Sequence, residues 1–215
     1  MQKLGAVRRA LEAGELDGGM ERLLYGDLTA ARRRVAALLD GFRQTFDAGE
    51  DTPVVLCSAP GRTEICGNHT DHQHGRVLAG AVDLDFLACA APNGTNTIRF
   101  QSQGWPLAEV GLDTLEPKEE EKGSTASLVR GMAAQAVEKG YPVAGFDVYA
   151  QSDVLPGSGL SSSAACEVLL GMIENHLFCG GALDPDGTEG RKCILWKGQR
   201  TDGSDRLFRG RRGGH

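Results

Sequence analysis

The sequence predicts an α+β fold, in which helices and strands are mixed without strict alternation. An amphipathic helical pattern at residues 28–46 precedes three short β-rich runs, and a second helical pattern separates these from a fourth run. A glycine- and serine-rich turn then leads into a last helical segment after residue 160. A doubly wound sheet would need regular repetition of strand and helix, so the pattern favours layered α+β packing.

Two segments carry clear helix signals. In "LTAARRRVAALLDGFRQTF", the apolar residues Val35, Leu38, Leu39, Phe42 and Phe46 recur at helical spacing, with three arginines on the opposite side. The segment "STASLVRGMAAQAVEKG" begins with a serine suited to an N-cap and ends with a glycine suited to the helix end.

Four runs read as strands. "TPVVLCSAPGR" predicts a short strand at residues 54–57 that we expect to stop at Pro60-Gly61. "DLDFLACAAP" and "TIRFQS" predict two more, separated by a turn around Asn93-Gly94. "FDVYAQSDV" predicts the fourth.

Composition limits the classes of function. The 215 residues are 40% hydrophobic and 24% charged, which is typical of one or two globular domains. No apolar run approaches the ~20 residues that span a bilayer, and the charged start lacks the apolar stretch of a signal peptide. We therefore expect a cytoplasmic protein with no membrane partner. Its six cysteines form no CxxC pair and are expected to be reduced. The net charge of −6 gives no indication of nucleic-acid binding.

The segment "LPGSGLSSSAA" is the first with chemical content. Glycines let the backbone curl and present consecutive N–H groups, and a helix N-terminus adds partial positive charge, so the pattern suits phosphate. The serine hydroxyls can cap the helix, bind phosphate oxygens or ligate Mg²⁺. It is neither a Walker A loop nor a dinucleotide fingerprint. A flexible turn with an N-cap serine is the alternative.

Here "GSGLSSSAA" resembles the nucleotide loop of the kinases that act on galactose, homoserine, mevalonate and phosphomevalonate. The resemblance implies ATP and Mg²⁺ as cofactors, with Ser163 on the metal. Pro156 directly precedes the first glycine, whereas the family proline usually stands two residues before it. The ATP-binding residues implied by the resemblance are Ser102, Gly157, Ser158, Gly159, Leu160, Ser161, Ser162 and Ser163.

A second segment, "SAPGRTEICGNHTDHQHGRVLAGAVDLD", resembles the galactokinase signature. By that resemblance Arg62 would neutralise charge on the transferring phosphoryl group. Asn68, His69 and Asp71 would hold the sugar through its hydroxyls. Glu64 stands where the signature usually has asparagine.

Two further departures concern the sugar. Asn68 replaces a family glutamate and His72 replaces a tyrosine, which weakens the expectation that galactose itself is selected. A polar loop without a ligand is one alternative for "HTDHQH". A metal site formed by His69, Asp71, His72 and His74 is the other, although no HExxH or cysteine pattern supports it.

The resemblance implies a two-domain kinase fold of which this sequence holds the N-terminal domain and the start of the second. We divide the chain into a helical segment at 1–52, a sugar- and ATP-binding domain at 53–185 and a tail at 186–215. The implied activity is ATP-dependent phosphorylation of galactose or a related sugar to the sugar 1-phosphate. The alternatives are a non-catalytic sugar and ATP sensor, or a kinase of the same family with another substrate.

The tail differs from the rest of the chain. Residues 188–215 hold 8 Lys+Arg against 3 Asp+Glu, in a chain whose net charge is −6. The family's Ala-Glu-Asn helix and Gly-Leu-Met-Asp-Gln segment, which supply a Mg²⁺ glutamate and the catalytic base, do not occur in this sequence. Shifting the codons of residues 191–205 by one base permits "ENAYFGKASGLMDQ", which matches both. We therefore expect an out-of-frame tail and little activity from this chain, and not a nucleic-acid-binding arm.

Overall fold

The computed structural model describes residues 1–23, 27–67, 76, 78–154 and 157–179. Within these residues a six-stranded sheet is flanked by five α-helices, which confirms the α+β prediction. The helices are α1 (Leu4–Glu12), α2 (Asp17–Leu23), α3 (Leu28–Phe46), α4 (Thr125–Glu138) and α5 (Ser162–Phe178). The strands are β1 (Gln2–Lys3), β2 (Pro53–Cys66), β3 (Leu78–Pro92), β4 (Thr97–Ser102), β5 (Ala108–Gly111) and β6 (Phe146–Ser152).

The sheet order is β1-β2-β3-β6-β4-β5, and neighbours are antiparallel except β4 and β6, which run parallel. The predicted turn at Asn93-Gly94 is formed, with Gly94 at φ 67°. It does not join neighbouring strands, because β6 lies between β3 and β4. The Asn93 amide donates to Asp147 Oδ1 on β6 at 2.7 Å and to Thr97 O at 3.0 Å. The turn is thus fastened to a strand that comes much later in the chain.

The expectation that the first strand stops at Pro60-Gly61 is wrong. β2 continues to Cys66 and remains paired with β3, which begins at Leu78 and not at the predicted "DLDF". A register shift between Pro60 and Arg62 marks a β-bulge. Proline lacks an N–H and is tolerated at a bulge, where one ladder hydrogen bond is not required.

Each face of the sheet carries its own core. On β3, Phe86, Ala88 and Ala90 pack towards α4 and α5, whereas Leu87 and Cys89 pack towards α1 and α3. This alternation is the two-residue period of a strand that is buried on both faces.

Helix termini follow the expected capping chemistry at two places. Asp27 Oδ1 accepts from Thr29 N at 2.8 Å at the start of α3, and Ser124 Oγ accepts from Ser127 N at 3.3 Å at the start of α4. The latter confirms the predicted N-cap serine. In the described part of the chain, no helix is both long and apolar enough to cross a membrane.

Candidate functional site

Strand β2 brings Arg62 against the glycine-rich loop that precedes α5. Arg62 Nη1 donates to Ser161 Oγ at 2.6 Å, and Arg62 N donates to Leu160 O at 3.1 Å. A Cβ at Gly61 would lie 3.1 Å from Val154 Cγ2 and 3.2 Å from Leu160 O, so the strand and the loop approach closely here because this position is glycine.

The loop has the conformation that its glycines permit. Gly157 and Gly159 both have φ 77°, in the left-handed region where a side chain is strained. Both positions face open space, so the backbone angle and not crowding is what requires glycine. The sequence-based expectation of a tight curl at the start of α5 therefore agrees with this backbone.

Ser161 occupies the N-cap position of α5 but does not act as a cap. Its φ of 58° and ψ of 54° are left-handed, and its side chain makes no capping hydrogen bond. A left-handed non-glycine residue costs roughly 1–2 kcal/mol, and a missing cap about 1 kcal/mol. The serine-cap alternative is therefore wrong for this residue, because its hydroxyl is engaged by Arg62.

A cavity of about 750 Å³ opens beside the first turn of α5. Ser102, at the end of β4, is 8% exposed and lines it together with Ser162 and Ser163. The structure thus brings four of the predicted nucleotide residues, Ser102 and Ser161–163, to one region. The remaining walls are formed by Phe86, Phe100, Gln103, Trp105, Pro106, Leu107, Ala108, Gly123, Ser124, Thr125, Ala126, Leu128, Ser152, Val154 and Cys166.

The sequence interpretation missed several of these residues. Trp105 and Leu107 are 55% and 42% exposed on the cavity side of the loop after β4. Ser124 and Thr125 bring the start of α4 to the same cavity. A tryptophan three residues after Ser102 was a detectable signal, because a large aromatic side chain on a loop is a common ligand contact.

A partly buried polar network supports the end of β6 from which the loop departs. Arg34 Nη1 on α3 lies 2.5 Å from Asp85 Oδ1 and 3.2 Å from Asp153 Oδ2. Ser58 Oγ donates to Asp85 Oδ2 at 2.5 Å. Asp153 N donates to Asp85 O at 3.0 Å. The network joins α3, both long strands and the residue before Val154.

Burial raises the pKa of two titratable groups on α5. Burial raises the pKa of the Cys166 thiol at the cavity wall to about 12, so it is protonated and is a poor nucleophile. Burial also raises the pKa of Glu174 to about 8. Glu174 is 1% exposed, and within the described residues neither of its carboxyl oxygens has a hydrogen-bond partner.

The predicted sugar residues Asn68, His69 and Asp71 lie outside the described residues, as do His72 and His74 of the alternative metal site. Leu155 and Pro156 of the loop also lie outside them. Among the residues that the structure does describe, no group of three or more His, Cys, Asp or Glu side chains could hold a metal ion.

Comparisons with known proteins agree with both motifs. The family model described as "Galactokinase galactose-binding signature" matches residues 40–92, and that described as "GHMP kinases N terminal domain" matches residues 127–190. Galactokinase from Clostridium tetani is 32% identical over 59% of this chain and 32% of its own length. Galactokinase from Ligilactobacillus salivarius is 34% identical over 65% of this chain and 36% of its own length.

Among solved structures, galactokinase from Lactococcus lactis complexed with galactose matches with a TM-score of 0.61 and 29% identity. The match covers 67% of this chain and 37% of that protein. The chain therefore spans about a third of the length of these relatives.

Proposed function

Since the chain belongs to the galactokinase family and corresponds to the N-terminal portion of its relatives, we propose that its site binds ATP next to a sugar. The chemistry it serves is transfer of the γ-phosphoryl group of ATP to galactose or a related sugar, which gives the sugar 1-phosphate. The observation that carries the proposal is the cavity of about 750 Å³ that opens at the glycine loop and the first turn of α5.

The volume of the cavity suits a nucleotide, and so does the distribution of apolar and polar residues along its walls. Binding sites for small molecules are commonly 300–1,000 Å³, with apolar walls and a few polar groups. Trp105, Phe86 and Leu107 offer apolar surface for the base. Ser162 and Ser163 lie at the helix N-terminus, where backbone N–H groups and the helix dipole favour phosphate.

Arg62 is the residue that we propose to stabilise the transferring phosphoryl group. Its guanidinium is bound to Ser161, one residue before α5, and so lies beside the proposed phosphate end of the cavity. Charge spread over the equatorial oxygens of that group is stabilised by a fixed cation. Asn68, His69 and Asp71 hold the sugar in this proposal, which extends the resemblance of "GNHTD" to the galactokinase signature.

Mg²⁺ fits these residues only weakly. The described residues that line the cavity offer it hydroxyls, those of Ser162 and Ser163 among them, and no cluster of carboxylates. A cation that prefers six oxygens would have to take the rest from phosphate and water. We therefore derive no step through it.

We expect the 215-residue chain to bind ATP but to turn over little. The segments that supply the family's catalytic base and its Mg²⁺ glutamate do not occur in the sequence, and losing such groups costs orders of magnitude in rate. An assay of galactose-dependent ATP consumption by the purified chain tests this. A rate within tenfold of a complete galactokinase would refute it.

Binding itself is tested with two matched glycine variants. Gly159 and Gly140 both have φ 77°, and a methyl group added at either position would meet open space, so Gly159→Ala and Gly140→Ala impose the same backbone strain. Both should lose similar stability, about 1 kcal/mol. Only Gly159→Ala should weaken MgATP binding measured by isothermal titration. Equal effects of both variants on the dissociation constant would overturn the proposed phosphate loop.

The alternative of a non-catalytic sensor requires that titration with galactose gives binding without turnover, whereas the absence of galactose binding rejects the sensor and indicates an inactive fragment. The division into segments 1–52, 53–185 and 186–215 remains a proposal, and so does the out-of-frame origin of the tail. Reading the DNA across codons 180–215 and beyond tests the tail. A shifted frame that continues into a coherent kinase-like sequence supports that origin, and a closed frame with no such continuation rejects it.

A further inference from the structure

We propose that Ser161 is a positioning residue, which holds the Arg62 guanidinium at the start of α5 and does not itself bind phosphate. The inference rests on the proposed function, in which Arg62 faces the transferring phosphoryl group. It assigns a separate task to Ser161, which the sequence alone does not distinguish from Ser162.

The evidence comes from comparing two serines at equivalent positions. Ser124 precedes α4 with φ −95° and ψ 165°, and its hydroxyl accepts from Ser127 N in the usual way. Ser161 precedes α5 with φ 58° and ψ 54°, and its hydroxyl makes no capping bond. Instead it accepts from Arg62 Nη1 at 2.6 Å. The left-handed backbone thus accompanies a change of partner, from the helix to the arginine.

Arg62 is held at both ends by consecutive residues of the loop. Its backbone N–H donates to Leu160 O at 3.1 Å, and its guanidinium donates to Ser161 Oγ. Its side chain is only 23% exposed, so few other conformations are open to it. The strand and the loop are therefore fixed to each other at the point where Arg62 would meet phosphate.

Glu64 supplies a competing partner. Its Oε1 lies 3.8 Å from Arg62 Nη2, which is farther than the serine oxygen but carries a full negative charge. If the Ser161 hydroxyl is removed, the guanidinium is expected to move towards Glu64, because an opposite charge within 4 Å is the next strongest attraction. Ser161 keeps the arginine at the helix start against that pull.

The first test uses the full chain without ligand. In Ser161→Gly the hydroxyl is lost while the backbone strain is relieved, so the variant should fold well. The Arg62 side-chain N–H signals, assigned by ¹⁵N NMR with Arg62→Met, should shift and exchange with solvent several-fold faster than in the wild type. Ser124→Gly, the same change at the other helix start, should leave them unchanged. Unchanged Arg62 signals in both Ser161→Gly and Ser161→Ala would overturn the proposal.

The second test measures MgATP affinity from Trp105 fluorescence in a Trp196→Phe background, which leaves one tryptophan. Ser161→Gly and Arg62→Met should each weaken binding by about tenfold, as expected for a charge-assisted hydrogen bond. The double variant should be no weaker than Arg62→Met alone, because Ser161 acts through Arg62. Losses that multiply would show that Ser161 contacts the nucleotide directly, and would overturn the proposal.

A third variant, Glu64→Asn, removes the competing carboxylate and should reduce the effect of Ser161→Gly on affinity to about threefold or less. An undiminished tenfold effect would contradict the role given to Glu64. If the wild type does not bind MgATP while the Arg62 signals still respond to Ser161→Gly, the proposed function fails and the positioning contact stands.

Discussion

The two faces of the sheet differ in how completely their buried charged side chains are paired. On the face covered by α1 and α3, the hydrophobic core extends from Leu4 and Val7 to Leu38 and Phe42, and the buried Asp85 carboxylate is paired with Arg34. On the face covered by α4 and α5, the core adjoins an open cavity and includes the buried Glu174. Burial of an unpaired carboxyl costs free energy, so the second face gives up part of the stability that its apolar contacts provide.

The same contrast appears in the backbone. Among the described residues, two that are not glycine have a positive φ, Asp47 at 51° and Ser161 at 58°. Asp47 ends α3 with its N–H bonded to Arg43 O, which is an ordinary left-handed helix end. Ser161 precedes α5, where a left-handed conformation is unusual, and its side chain makes no capping hydrogen bond. A similar positive φ thus ends helix α3 at Asp47, whereas at Ser161 it belongs to the proposed site.

The largest expected effect of a substitution concerns the face of the sheet that α1 and α3 cover. Phe42 is 1% exposed, so Phe42→Ala should lower the free energy of unfolding by about 3–5 kcal/mol, from lost burial and the cavity left behind. Denaturant unfolding measures this. MgATP affinity of the folded fraction should not change, and a parallel loss of affinity would mean that the two faces are not separable.

The buried Glu174, on the face covered by α4 and α5, makes the free energy of unfolding depend on pH. Because burial raises its folded pKa to about 8 from an ordinary 4.5, the folded state keeps its proton while the unfolded state loses it. The free energy of unfolding should therefore fall as pH rises from about 4.5 to about 8 and then level off. The expected loss over that range is roughly 4–5 kcal/mol. Glu174→Gln should remove this part of the slope, measured by unfolding at pH 5 and pH 8 beside the wild type.

For Glu174→Gln, the informative quantity is the difference between variant and wild type at each pH, since other carboxyls contribute equally to both. A difference that stays constant from pH 5 to pH 8 would show that the Glu174 carboxyl is solvated or paired in the folded protein.

Arg34 ties α3 to the sheet, because it extends from α3 to the Asp85 carboxylate on β3. The Asp85 side chain is 6% exposed, and after Arg34→Met the Ser58 hydroxyl would still donate to it but its charge would lack a cation. The free energy of unfolding should fall by about 2 kcal/mol. Adding Asp85→Asn should recover part of the loss in a double-mutant cycle, since the uncompensated charge is then gone. Losses that simply add would indicate that the pair does not interact.

The smallest effect concerns Asp47. Asp47→Gly should raise the free energy of unfolding by roughly 0.5 kcal/mol, because glycine adopts the left-handed end of α3 without strain but loosens the unfolded chain. Ser161→Gly should give a similar gain, offset by loss of the Arg62 hydrogen bond. Thermal unfolding of both variants compares the two positions, and an equal gain in both would mean that the Arg62 contact adds nothing to stability.

Local sequence signals predicted a large part of this molecule. The helical period of Val35, Leu38 and Phe42 placed α3 at residues 28–46, and "TIRFQS" placed β4 at its observed bounds. The α4 start was equally readable, because Ser124 is a standard N-cap. The short β1 and β5 and the helices α1 and α2 carried weaker patterns and were not predicted.

For the site, the motifs identified the family and the segments, but not which residues contact each other. Ser161 of the glycine loop and Arg62 are 99 positions apart in the chain, and their hydrogen bond follows from the sheet and from α5 packing on β2. The cavity role of Trp105 was missed for the same reason, since a loop residue acquires neighbours only when α4 and α5 cover the sheet.

By itself the sequence determined the periodic elements, their caps, the glycines that permit φ 77° at 157 and 159, and membership of a kinase family. Those depend on residues close in the chain, where propensity and spacing suffice. Tertiary structure alone decided that β6 inserts between β3 and β4, that β2 runs through Pro60, and that Ser161 bonds to Arg62 and not to its own helix. Each of these outcomes is a competition between a local preference and a distant partner, and the distant partner exists only in the folded chain.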